Sequence, residues 1–359
     1  MASRKPLLYL CTFRINIFKM KKRQFVYMAL AFLLLMGMSS CRKKSINNPL
    51  TVNSVGAPWE LLVVMDKSDW EAPQGRALFE VLDADVPALP QSEPRFKISR
   101  CDNADFDGLL KPVRNILLVE ISHIYSRPKI HVTEDMWANS QIVMRIVAPD
   151  NESFAKFVQD EKELIYQYFE LAERKRNLQY IKRTHNRELS RLVMLKMGYE
   201  VQVPKFMERF KVGENFIWLS NDRQRKHQDM VIYSYPYTDK NTFTLEYLNA
   251  KRDSVMKANI PGGPEGSYMG REDAWPETFT EINFNGKYAV EIRGLWEMKG
   301  DMMGGPYVSI TRLDEQNQRI VTAEIFIYAP EEDKRNLLKH NEAALYTLKL
   351  PGEFKHNEQ

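Results

Sequence analysis

Cysteine is scarce: Cys11, Cys41 and Cys101 are the only three in the chain. So few cannot build a disulfide scaffold. Cys101, between Arg100 and Asp102, would be a nucleophile only if a cation lowered its pKa, and the alternative is a small core residue. Motifs of catalysis are missing as well. No G-x-S-x-G, H-E-x-x-H, P-loop or C-x-x-C occurs. The histidines (His123, His131, His185, His227, His340, His356) include no pair at the i, i+4 spacing that sets two metal ligands on one helix face. His123 and His131 flank a turn and could meet across a hairpin, or simply be exposed strand and turn residues. No catalytic residue, metal ligand or cofactor is therefore expected. Carboxylates are plentiful, so a hydrolase using dispersed acids stays open as an alternative.

Long apolar runs are also missing, with one exception. Lys19, Lys21, Lys22 and Arg23 precede an uninterrupted apolar stretch from Phe25 to Met38, closed by Ser39-Ser40-Cys41. Fourteen residues are too few to cross about 30 Å of hydrocarbon comfortably, but they suit a signal-peptide core. Met38-Ser39-Ser40-Cys41 resembles a lipobox, with Met38 where Leu is more usual. Cys41 is thus the expected lipidated first residue of the mature chain, residues 1–40 the leader, and Met20 the expected true start. A cleaved signal without lipid and an uncleaved anchor helix are the alternatives; Arg42, Lys43 and Lys44 close the run at once, against an anchor helix.

Removing the leader changes the charge. The whole chain has 51 basic and 47 acidic residues, a formal charge of +4, and residues 1–40 hold seven basic residues and no acidic one. The mature chain is left with 44 basic and 47 acidic residues, a formal charge of −3. Nucleic acid, which demands a basic excess, is not an expected partner.

Beyond the leader, residues 41–58 are polar and rich in Asn, Ser, Gly and Pro, and read as a flexible tether. The domain plan is a first α+β half over 59–175, a second over 176–350 and a polar tail over 351–359. Two spacings point to an internal duplication. Val86-Pro-Ala-Leu-Pro90 matches Ile260-Pro-Gly-Gly-Pro264, and the strand–Ala-Pro junctions at Ala148-Pro149 and Ala329-Pro330 recur at a similar interval. Each junction predicts a strand meeting a helix with Pro in its first turn. The architecture expected is α+β: two similar halves, each a mainly antiparallel sheet with helices on one face, joined by a long helix over 153–197 that Gly198 ends. Asn285-Gly286 predicts a hairpin.

Candidate interaction loops are Pro261–Gly266, with Gly262 and Gly263, and Gly300–Pro306, with Gly304 and Gly305. Glycine admits close backbone approach, and Arg271 and Trp275 nearby are side chains that anchor interfaces. The alternative is plain turns above core aromatics. The joining helix is basic over Arg174, Lys175, Arg176, Lys182, Arg183, Arg187 and Arg191. That run reads either as a patch for anionic lipid or an acidic partner, or as a solvated face.

From Gly56-Ala-Pro-Trp-Glu through Leu195-Lys-Met-Gly-Tyr-Glu-Val-Gln-Val-Pro204 to Ile325-Phe-Ile-Tyr-Ala-Pro330, the chain resembles a family of Bacteroidetes lipoproteins catalogued as domain of unknown function 4837. The resemblance covers nearly the whole mature chain and implies location rather than activity. Such lipoproteins, when surface-exposed, carry acidic residues soon after the lipidated cysteine. Arg42-Lys43-Lys44 takes that place here, which favours an outer-membrane protein facing the periplasm. The function expected is a non-catalytic binding or assembly module on a lipid anchor, with an envelope protein as possible partner; a structural spacer is a further alternative.

Overall fold

The structure is a computed structural model, and it describes residues 52–221, 223 and 225–354. Cys41, the leader and most of the tether lie outside the described residues. The last residues assigned to the tether are bound to the fold, because Ser54 donates to the Asn139 carbonyl at 3.1 Å and Val55 to that of Pro112 at 2.9 Å.

Five strands form the first sheet: β1 (Glu60–Val64), β2 (Lys97–Cys101), β3 (Asn115–Ile121), β4 (Lys129–Glu134) and β5 (Ile142–Ala148), in the order β2-β1-β3-β5-β4. The antiparallel expectation fails here. β1 runs parallel to β2 and β3, and β3 parallel to β5; only the edge strand β4 is antiparallel. The run Leu61 to Met65 is buried without alternation, as in a parallel strand covered on both faces. Helices α1 (Lys67–Glu71), α2 (Pro73–Leu82), α3 (Asn151–Asp160) and α4 (Lys162–Thr184) follow in the chain. Leu78, Val81, Phe154, Val158, Ile165 and Phe169 of α2, α3 and α4 pack on one face of the sheet. Phe106, Leu110 and Trp137, from loops, close the other.

The second sheet is antiparallel throughout and has eight strands: β6 (Arg209–Gly213), β7 (Phe216–Ser220), β8 (His227–Pro236), β9 (Tyr268–Arg271), β10 (Thr278–Phe284), β11 (Lys287–Lys299), β12 (Gly304–Asp314) and β13 (Arg319–Tyr328). Their order is β10-β11-β12-β13-β8-β7-β6, with β9 beside the end of β11. Helices cover both of its faces and not one. Leu189 and Val193 of α5 (Arg187–Met197), with Leu338 of α7 (Arg335–Glu342), lie on one side. Leu248 and Met256 of α6 (Leu245–Asn259) lie on the other. Asn285 and Gly286, at φ 55° and 86°, close the β10–β11 hairpin.

The architecture is mixed α/β with two sheets, but strand order and direction differ between them. Likeness is confined to the strand–Ala-Pro junctions. Asp150, after Pro149, caps α3 by accepting the Ser153 N–H at 2.8 Å, whereas α7 starts only at Arg335, well past Pro330. The joining helix is also interrupted. Asn186 begins a new helix by accepting the Leu189 N–H at 3.1 Å, and Gly198 ends it in the left-handed conformation that glycine adopts without strain. No helix among the described residues is long and apolar enough to cross a membrane.

Candidate anion-binding pocket

α4 presents Arg176, Tyr180 and Arg183 at i, i+4 and i+7, a spacing that places them on one helix face. Opposite lie Arg114, just before β3, Ser140 from the loop before β5, His340 of α7, and Asn53 and Ser54 where the chain enters the fold. Together with Pro58, Asn139, Asn177 and Gln179 they line a cavity of about 400 Å³. Three arginines and a histidine line it, and no carboxylate does.

Beneath the floor sits Glu173, completely buried, 2.8 Å from the Arg176 Nη1 and 3.3 Å from the Arg114 Nε. Its Oε1 also accepts from the Asn115 Nδ2 at 2.8 Å and from the Trp59 N–H at 3.3 Å. One carboxylate thus faces two guanidiniums, which leaves the floor one positive charge in excess. Arg176 is fixed further: its Nε donates to the Ser140 carbonyl at 2.7 Å and its Nη2 to the Asn115 Oδ1 at 2.7 Å. Burial works against its charge and outweighs the pull of Glu173. Being arginine, it remains protonated all the same.

The rim is less committed. Arg183 is exposed and has no hydrogen-bond, ion-pair or ring partner among the described residues. Tyr180 is 48% exposed, and its ring lies 5.5 Å from that of His340. Burial pushes the His340 imidazole below its usual range, so it is neutral near pH 7. The arrangement is a fixed cationic floor with a free guanidinium, a phenol and an amide at the mouth. It suits a tetrahedral or planar oxyanion, for which arginine offers paired donors.

Of the loops singled out from sequence, neither provides such a recess. Gly304 and Gly305 are strand residues of β12 paired with Glu297 and Trp296, and a Cβ on Gly305 would stand 2.0 Å from the Ile327 carbonyl oxygen. Their glycines serve sheet packing. At Gly262 a Cβ would meet the Ser267 Oγ at 2.3 Å, while at Gly263 it would approach only the Asp301 Oδ2, at 3.4 Å. Arg271 is held by Asp253 at 3.0 Å and by Asp273 and Glu277 at 3.3 Å each. Trp275 is 45% exposed. Cys101 is partly buried, which pushes its thiol up and away from thiolate chemistry. His123 and His131 are both exposed. Among the described residues no group of three or more His, Cys, Asp or Glu is placed to hold a metal ion.

The basic run divides in two. Lys175 pairs with Glu134, the Arg174 guanidinium lies 4.0 Å over the Tyr346 ring, and Arg176 is in the pocket floor. Lys182, Arg183, Arg187 and Arg191 are exposed and unpartnered among the described residues. Helical spacing could have linked Arg176, Tyr180 and Arg183. Arg114 and His340 are brought in only by the fold.

Comparison with known families places the chain in two pieces. Residues 186–347 match the model described as Domain of unknown function (DUF4837), and residues 54–182 that described as Domain of unknown function (DUF8532). The resemblance to the first, expected over nearly the whole mature chain, is matched over its later part. No curated protein matches the chain. Among solved structures, a point mutant of the protein Mog1 shares 11% identity over 42% of this chain and 90% of its own, at a TM-score of 0.27.

Proposed function

We propose that the protein is a non-catalytic binding or assembly module of the cell envelope, anchored through lipid on Cys41 in the outer membrane and facing the periplasm. Its recognition element is the arginine pocket, which engages an anionic group of the ligand. The observation that carries this reading is the lining itself: Arg114, Arg176, Arg183 and His340 converge on one cavity with no carboxylate among its walls. A solvated basic face would not need a buried glutamate to hold two of those arginines in place.

The test is calorimetric titration of the full chain, in non-ionic detergent, with inorganic phosphate. The wild type binds, and Arg183→Ala binds about tenfold more weakly, as loss of one charge-assisted hydrogen bond predicts. Equal affinity in the variant, or no binding by the wild type, overturns the assignment.

A further inference from the structure

The position of the pocket narrows what its anion is. Asn53 and Ser54 form part of its wall, so the cavity lies where the chain passes from the N-terminal segment into the fold. Residues 42–51, at about 3.3–3.6 Å each when fully extended, reach roughly 40 Å at most. A lipid on Cys41 would therefore keep the pocket within that distance of the bilayer, at high effective concentration toward whatever the surface displays.

Further features suit a membrane surface. Lys182, Arg183, Arg187 and Arg191 leave a set of unpaired cations around the break between α4 and α5, and basic side chains are attracted to anionic lipid within about a Debye length. Half-exposed Tyr180 stands at the cavity mouth, and tyrosine favours the zone where apolar body and polar tip are both satisfied. The tether itself begins with Arg42-Lys43-Lys44, which would draw it along the same surface.

We infer that the pocket takes the phosphate ester of an anionic glycerophospholipid, so that the domain docks onto the membrane that carries its anchor. This rests on the anion-pocket reading above and adds the source of the anion. Arg183 supplies the free paired donor, the Tyr180 hydroxyl a second contact, and the Arg114–Arg176 floor the fixed positive field. Docking is reversible and local, and turns a loosely tethered domain into one with a defined face toward the bilayer.

The experiment uses the full chain in nanodiscs made of phosphatidylcholine or of phosphatidylglycerol, followed by hydrogen–deuterium exchange over residues 176–187. Phosphatidylglycerol should slow exchange there about tenfold relative to phosphatidylcholine, Arg183→Ala should abolish the difference, and excess inorganic phosphate should reverse it. Arg183→Lys, which keeps the charge without the paired donors, should retain only part of it. If phosphate protects the segment in phosphatidylcholine discs while phosphatidylglycerol adds nothing, the anion is a free one; the lipid inference then fails and the pocket stands. Protection by phosphatidylglycerol that survives Arg183→Ala places the lipid contact elsewhere and also overturns the inference. Protection by neither probe removes the pocket and the lipid together. An unchanged melting temperature in the Arg183 variants, whose side chain has no partner to lose, shows that folding is not what changed.

Discussion

Glu93 accepts the backbone N–H of Lys334 at 2.7 Å through one carboxylate oxygen and that of Arg335 at 2.8 Å through the other. Glu93 is 6% exposed and lies in the loop between α2 and β2. A carboxylate from the first sheet's region therefore caps α7, which packs on the second sheet. Lys339 of α7 adds a 3.4 Å ion pair to Glu170 of α4, so the same helix is tied to both parts.

Glu93→Ala should cost about 2 kcal/mol of unfolding free energy, because two N–H groups at a helix start lose a charged, buried acceptor. Urea denaturation measures it. Glu93→Gln keeps one acceptor and should fall between; a loss below about 0.5 kcal/mol for Ala, the ordinary scale of surface changes, would show that water replaces the cap.

Asp229 supplies a pH dependence. Burial pushes its carboxyl up to about 6 against the Trp218 Nε1, which donates to its Oδ1 at 2.9 Å. A raised folded-state pKa means that the native state holds the proton more tightly than the unfolded chain. The stability it contributes is complete below about pH 4 and is lost as pH rises through about 6, a change of up to about 3 kcal/mol at 1.36 kcal/mol per unit. Asp229→Asn should remove that loss, so the variant gains on the wild type between about pH 4 and 7. Denaturation curves across this range check it, and parallel curves for the two proteins would refute it.

Arg271 and Trp275 should behave differently. Arg271→Ala leaves Asp253, Asp273 and Glu277 facing one another without their cation and should destabilise by about 1–2 kcal/mol. Trp275→Ala, at an exposed position, should stay within about 0.5 kcal/mol. Thermal melts of the two single variants separate them.

Gly305→Ala drives a methyl into the Ile327 carbonyl and should cost about 1–3 kcal/mol or more, whereas Gly263→Ala should be nearly silent. If both are silent by urea denaturation, β12 shifts freely and the close strand packing is not a constraint.

Cys41→Ala should remove lipidation, since the thiol acceptor is gone while the apolar leader remains. Labelled palmitate incorporated by the variant at the wild-type level would place the lipid on another residue.

The sequence alone carried the local rules: strand runs at Leu61–Met65 and Met230–Tyr235, the Asn285-Gly286 turn, the Gly198 helix stop and the basic character of α4. Each depends on neighbours within a few residues, where propensity, turn chemistry and periodicity act directly. Strand direction in the first sheet was not of that kind. A continuous apolar run shows that both faces are buried, but not which strand lies beside it, and β1 pairs in parallel with β2 and β3 across intervals that include whole helices. The basic run likewise could not be sorted from sequence. Arg176 became a fixed, buried cation and Arg183 a free one because Glu173, Ser140 and Asn115 meet the first and no described residue meets the second. Arg114 and His340 share a cavity with Tyr180 only after β3, α4 and α7 have packed, since residues so distant in sequence are brought together by burial of the apolar faces around them and by no local preference of their own.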